Sequence, residues 1–186
     1  MPDIHFDFTQ SATRKTIFGT LIPMQADDIT RAKVGRVVGD NSIRSEQYMR
    51  NLEEVNHAID LSVADDYAKS HTKAIYDILA QAEAQVHGCT VEETHFHEVG
   101  RGQTIREILG ICTAIEFLNP DKITATAVQV GSGKVTCSHG ELDIPAPATA
   151  AIISAHDIPV VPEKLEGELC TPTSAAVIAH YIDMFV

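Results

Sequence analysis

Apolar positions recur at two different periods along the chain, and the change of period marks its elements. Residues 3–8, DIHFDF, alternate polar and apolar, the signature of a half-buried strand. A polar turn runs from Thr9 to Arg14, and Thr16 to Ile22 is mostly apolar again. Residues 23–45 carry Pro, Gly and many charges without a clear period. They read as a loop-rich connection with a short strand at 34–38. Over 46–60, Tyr48, Leu52, Val55 and Ile59 fall at helical spacing. A second helix is predicted over 63–87, striped by Tyr67, His71, Ile75, Leu79 and Val86. Ser62 and Asp65 form a capping-box pair at its start, and Gly88 is its stop. A third helix spans 105–118, opened by Thr104 and Glu107 and closed by Asn119-Pro120.

The period then drops to two. Residues 123–130, ITATAVQV, are β-branched and read as a strand. Gly131-Ser132-Gly133 reads as a hairpin turn into a strand at 134–138, and His139-Gly140 turns again into 141–144, completing a meander. Pro145 and Pro147 start a helix that runs to about His156. Ile158 to Val161 is a short strand, and 163–169 a charged link or strand. Thr171 caps a last helix, with Pro172 in its first position, reaching about Met184. Helices interleaved with hairpins and single strands predict a mixed α/β (α+β) sandwich, a mixed sheet with a β-meander covered by helices. The 186 residues suit one domain over 1–186.

Composition narrows the partners. A net charge of −12 disfavours nucleic acid and anionic membrane, and few aromatics with no Trp disfavour a base-stacking platform. No apolar run approaches the ~20 residues of a membrane span. Cys89, Cys112, Cys137 and Cys170 are scattered without a CxxC pair. That excludes a ribbon-type zinc site and a disulfide framework, and predicts a reduced, cytoplasmic protein.

The densest polar cluster is Thr94-His95-Phe96-His97-Glu98. On a strand His95 and His97 share a face; on a helix His95 and Glu98 do. Either arrangement presents two metal-capable groups to one point, and imidazole suits nickel, zinc, copper or iron. The plain alternative is one buried, hydrogen-bonded histidine and one exposed. Cys137-Ser138-His139 is a second candidate, a thiolate and an imidazole in a turn, against which Cys137 is simply a small core hydrophobe. Gly131-Ser132-Gly133 frees backbone amides for an anion, and Thr171-Pro172-Thr173-Ser174 sets hydroxyls at a helix start. The alternatives are an ordinary turn and an ordinary cap. His71, on an apolar stripe, reads as a core histidine, and Glu166, Glu168, Glu141 and Asp143 as solvated surface. His180 has no partner that the sequence identifies.

Four segments, AEAQVHG (82–88), VEETHFHEVG (91–100), VGSGKVTCSHGELDIPAPAT (130–149) and GELCTPTSAAVIA (167–179), occur in one order at fixed spacing. Together they resemble the nickel insertion proteins of the LarC family, most strongly over residues 70–182, with residues 1–45 divergent. The resemblance implies CTP-dependent insertion of nickel into a pyridinium bis-thiocarboxylate mononucleotide, a cyclometallation giving a nickel-pincer cofactor. It fits the metal set read from the residues, His95, His97, Glu98, Cys137 and His139, with nickel as the expected metal and zinc as the alternative. It implies a mononucleotide phosphate seat at Gly131, Ser132, Gly133, Thr171, Thr173 and Ser174.

The departures from the family pattern are specific. Phe6-Asp7 is kept, but the family's glycine-rich segment has become Ser11-Ala12-Thr13-Arg14-Lys15, with Lys15 where an Asp is usual. After HEVG the usual Ala-Val-Asp-Ser is Arg101-Gly102-Gln103-Thr104, with Glu107 as the nearest acid. The region associated with CTP has no counterpart in these 186 residues. The chain alone is therefore not expected to bind CTP or to insert nickel with it. Three roles follow: one half of a split insertase working with a separate CTP-binding chain, a metal- or cofactor-binding paralogue, or a structural subunit. Expected partners are the metal or the mononucleotide and that second chain, with self-association left open.

Overall fold

The computed structural model describes residues 3–24, 27–137 and 140–186. The chain begins with β1 (Ile4–Phe6), α1 (Arg14–Met24), α2 (Asp28–Val38), α3 (Leu52–Leu61), α4 (Asp66–His87) and α5 (Gly102–Leu118). It continues with β2 (Ile123–Ala125), β3 (Gly131–Ser132), β4 (Lys134–Cys137), β5 (Gly140–Asp143), α6 (Pro147–Ala155), β6 (Gly167–Glu168), α7 (Pro172–Tyr181) and β7 (Met184–Phe185). Short 3-10 turns at Val91–Glu93 and Glu98–Gly100 join α4 to α5. The class is mixed α/β, and no helix among the described residues is long and apolar enough to cross a membrane.

The described strands form small separate sheets rather than one mixed sheet. β1, β2 and β7 run parallel in the order β1-β2-β7, Ile4 facing Ile123 and Thr124 facing Met184. β4 and β5 make an antiparallel hairpin. The predicted hairpin at Gly131 to Gly133 is replaced by a long-range pair: β3 lies antiparallel to β6, Gly131 opposite Glu168. Two strands meeting across some 35 residues leave no local signal, whereas the glycines imitate a turn. The predicted strand at 123–130 leaves its sheet after Ala125, and Val128 instead bridges Val160.

Two helices occupy the region read as apolar run and loop. In α1, Ile17 and Leu21 are the buried pair, four apart, with Pro23 in its last turn. In α2, the Asp27 side chain accepts from the Thr30 amide, and Thr30, Val34 and Val37 form the buried face. Gly35 and three basic residues hide that sparse stripe from a periodicity count. α5 is the centre of the core: Ile105, Ile108, Leu109, Ile111 and Cys112 are fully buried, because it packs against α1, α2 and α4. A Cβ on Gly110 would come within 2.5 Å of Val38, so glycine permits the close α2–α5 approach.

Local capping differs from the prediction at two helices. Ser62 closes α3, donating to the Ile59 carbonyl at 2.7 Å, and does not open α4. Thr104 lies inside α5, which starts at Gly102, and Glu107 is engaged by Arg14 and Gln103 instead of a cap. At α7 the predicted cap is observed: the Ser174 amide donates to Thr171 Oγ1 at 3.3 Å, and the Thr171 amide to Ser174 Oγ at 2.9 Å. α7 ends at Tyr181, short of the predicted Met184, because Met184–Phe185 joins β2.

Candidate functional site

The HFHEVG segment is held by what lies under it. Phe96 is buried edge-on to Tyr76 of α4, ring centres 5.7 Å apart. The fully buried Tyr76 hydroxyl donates to the Val99 carbonyl at 2.7 Å, fixing the 3-10 turn that carries Glu98. On the other side the segment lies along residues 47–50. The Phe96 amide donates to the Arg50 carbonyl at 2.6 Å, and the Met49 amide to the Gly100 carbonyl at 2.9 Å. A Cβ on Gly100 would sit 2.0 Å from the Met49 carbonyl oxygen, which explains the glycine without any ligand.

This scaffold turns His97 and Glu98 into a cleft of about 520 Å³, within the size range of small-molecule sites. The C-terminal end of α4 contributes Glu83 and His87 to the cleft, the β4–β5 hairpin Cys137, β6 Glu168, and the start of α7 Thr171 and Thr173. His95 is exposed and does not line this cleft, whereas His97, where the backbone turns into the 3-10 segment, does. His139 lies outside the described residues. Among the described residues, no three His, Cys, Asp or Glu side chains are gathered closely enough to hold a metal ion.

Gly131, Ser132 and Gly133 do not line the cleft. Their polar groups are taken up by neighbouring residues of the chain. The Gly131 amide donates to Gln129 Oε1 at 3.0 Å, Ser132 Oγ donates to the Leu165 carbonyl at 2.9 Å, and the Gly133 carbonyl accepts from the Ile144 amide. Gly131, at φ +87°, approaches so closely that a Cβ would lie 1.8 Å from the Gly167 carbonyl oxygen. β3 is thus a strut behind Glu168, three residues before the Thr171 cap. Ser174 is fully buried and spent in that cap.

Glu168 is the cleft residue that sequence patterning passes over as surface. It is half-buried, and burial, then the Glu98 carboxylate, pushes its carboxyl above the usual range. Arg14 also reaches the cleft, but its Nε holds Glu107 at 2.8 Å. The extra positive charge at 14 is therefore paired. Lys15 is exposed and lines a neighbouring open groove between α1 and α2. Arg101 donates to the Tyr48 hydroxyl at 2.6 Å, with its guanidinium 5.2 Å from that ring. The cleft thus carries imidazole, thiol and carboxylate groups together with the first residues of the ten-residue α7.

The same residues lie inside a family match. The family model described as nickel insertion protein matches residues 7–186. The chain belongs to the nickel insertion protein family. A pyridinium-3,5-bisthiocarboxylic acid mononucleotide nickel insertion protein of Staphylococcus saprophyticus is 42% identical over 129 residues, 69% of this chain and 32% of the relative. Proteins of that same description from Clostridium acetobutylicum and Staphylococcus epidermidis are 41% and 37% identical over 137 and 143 residues. Those alignments cover 74% and 77% of this chain, and 31% and 36% of the relatives. The chain thus spans about a third of the length of these relatives. No solved structure gives a significant match.

Family membership gives the cleft its interest but does not explain each motif residue. Phe96 and Gly100 are accounted for by packing, Gly131 by the β3–β6 contact, and Ser174 by capping. His97, Glu98, Cys137, Thr171 and Thr173 are the expected site residues that reach the cleft, and Glu83, His87 and Glu168 of the same motifs reach it as well. A sequence signal for Glu168 does exist. It stands three residues before an N-cap, where a strand entering a helix delivers its side chain to the helix N-terminus.

Proposed function

We propose that this chain holds nickel and a pyridinium mononucleotide together in the cleft between the HFHEVG turn and the start of α7, as part of nickel-pincer cofactor biosynthesis. The observation that carries this is the meeting of His97, Glu98, Cys137 and the Thr171 helix start on one cleft, in a chain of the nickel insertion protein family. The relatives' printed name supplies the substrate class. Nickel is here a substrate delivered into the mononucleotide. The thiocarboxylate sulfurs are soft donors suited to it, and protein imidazole, thiol and carboxylate hold it until transfer. The start of α7 takes the phosphate, since the helix's partial positive charge there favours a dianion and Thr171 and Thr173 line the cleft at that point. Glu168 sets the charge balance: ionised, it favours the metal ion; protonated, it removes one negative charge beside Glu98.

CTP chemistry is assigned, in this proposal, to a separate CTP-binding partner. In this reading the chain works in the cytoplasm, where the Cys137 thiol stays reduced. The test is equilibrium binding of nickel and of pyridinium-3,5-bisthiocarboxylic acid mononucleotide to the chain, alone and together. Each should tighten the other, and His97→Ala should weaken nickel by more than about tenfold. Equal nickel binding by wild type and His97→Ala, with no binding of the mononucleotide, would overturn the proposal. CTP should be neither bound nor consumed by the chain on its own.

A further inference from the structure

Away from the cleft, α4 and α7 bring together two histidines 109 positions apart: His71 Nδ1 lies 2.7 Å from His180 Nε2. His71, expected as a satisfied core residue, is instead half-buried and open to solvent at one edge, as is His180. The pair is built rather than accidental. The His71 ring is stacked on Tyr67 on α4, ring centres 4.0 Å apart, and on Tyr181 on α7 at 5.5 Å. His180 stands edge-on to both His71 and Tyr181. Each imidazole is thereby held in place with one nitrogen facing a nitrogen of the other ring.

We propose that His71 and His180 form a two-histidine binding site for a late first-row divalent metal ion, separate from the cleft. Metal–imidazole bonds of about 2.05 Å put two cis nitrogens about 2.9 Å apart at 90°, and about 3.3 Å apart at the tetrahedral angle. The observed separation opens by a few tenths of an ångström to meet the first value. It therefore suits the right-angled preference of nickel or copper better than tetrahedral zinc. Metal binding needs both facing nitrogens without protons. In the hydrogen-bonded pair one of them carries a proton, which moves through solvent to the far nitrogen of the same ring. Both rings stay neutral and no proton is lost. Burial holds both imidazoles below their usual pKa, which keeps the pair in that neutral form. Water completes the coordination on the exposed side.

The probe is nickel ion alone, added to the intact chain and followed by the imidazole nitrogen–proton correlations of the nine histidines. Paramagnetic nickel should broaden the His71 and His180 signals together below one equivalent, in wild type and in His97→Ala alike. His71→Gln should abolish the effect at His180 and weaken nickel at this site by more than about tenfold. The chain has no Trp, so tyrosine emission, with Tyr67 and Tyr181 against the pair, gives a second readout that should quench in step. Sharp His71 and His180 signals through two equivalents would overturn this inference. If His97 broadened meanwhile, the cleft proposal would survive it. Broadening at His71 and His180 without His97 would support this site and count against the cleft.

Discussion

Replacing Gly131 by alanine tests how the cleft wall is built. Gly131 sits at φ +87°, and its Cβ would lie 1.8 Å from the Gly167 carbonyl oxygen and 3.1 Å from the Leu169 amide. The left-handed backbone costs about 1–2 kcal/mol for a residue with a Cβ. Relieving the overlap must push β3 off β6. That breaks the Leu169-to-Val130 amide–carbonyl bond and the Ser132 hydroxyl-to-Leu165 carbonyl bond, each worth about 1 kcal/mol net. The expected loss is about 3–4 kcal/mol. Gly133 is the control, since it has φ +98° but nothing within 4 Å of a Cβ, so Gly133→Ala should cost only about 1–2 kcal/mol. Urea unfolding of both variants beside wild type measures the difference. A gap below about 1 kcal/mol would refute the idea that close β3–β6 packing, rather than turn geometry, is why this glycine is needed.

Tyr76→Phe should cost about 1–3 kcal/mol, because it strands the Val99 carbonyl in the core, and should loosen the turn bearing Glu98; denaturation together with hydrogen exchange at Val99 to Arg101 reads both. Thr171→Val removes the α7 cap acceptor, and should cost about 1 kcal/mol by urea unfolding and weaken mononucleotide binding without changing nickel binding to the empty chain. Burial, then His71, holds the His180 pKa down to about 4, against 6.5 for the free side chain. The unfolded chain therefore takes the proton first, so the pair's contribution is full above about pH 6.5 and is lost as pH falls toward 4. The shift corresponds to about 3 kcal/mol, reduced to about 1–2 by solvent at this half-exposed position. The stability advantage of wild type over His180→Gln should shrink by that amount between pH 7 and 4, and parallel curves would contradict it.

Legibility in the sequence followed contact range. Helices α3 to α7 were visible because each carries a long stripe or a cap of its own, as at Thr171-Pro172. α2 was not, because its face is only Thr30, Val34 and Val37 and its core partner, α5, lies about 70 residues away. The β3–β6 pair was read as a hairpin for the same reason: glycines at positive φ serve a tight turn and a close strand contact equally well. At the site, His97, Glu98, Cys137, Thr171 and Thr173 were found by residue type and do meet on one cleft. His95 parts from them because the backbone leaves the extended conformation at His97, φ −106° and ψ −102°, where the 3-10 turn begins, so strand alternation no longer relates the two. Glu168 and the His71–His180 pair stayed hidden, since burial of a carboxylate and the meeting of two helices are properties of the folded chain alone.

The most direct measurement is anomalous diffraction at the nickel absorption edge from crystals of the chain soaked with nickel and the pyridinium-3,5-bisthiocarboxylic acid mononucleotide. The cleft proposal predicts an anomalous peak within about 2.0–2.3 Å of a His97 nitrogen, a Glu98 oxygen or the Cys137 sulfur, with the phosphate beside Thr171 and Thr173 at the start of α7. Nickel bound elsewhere on the chain, with no peak in that cleft at full mononucleotide occupancy, would contradict it.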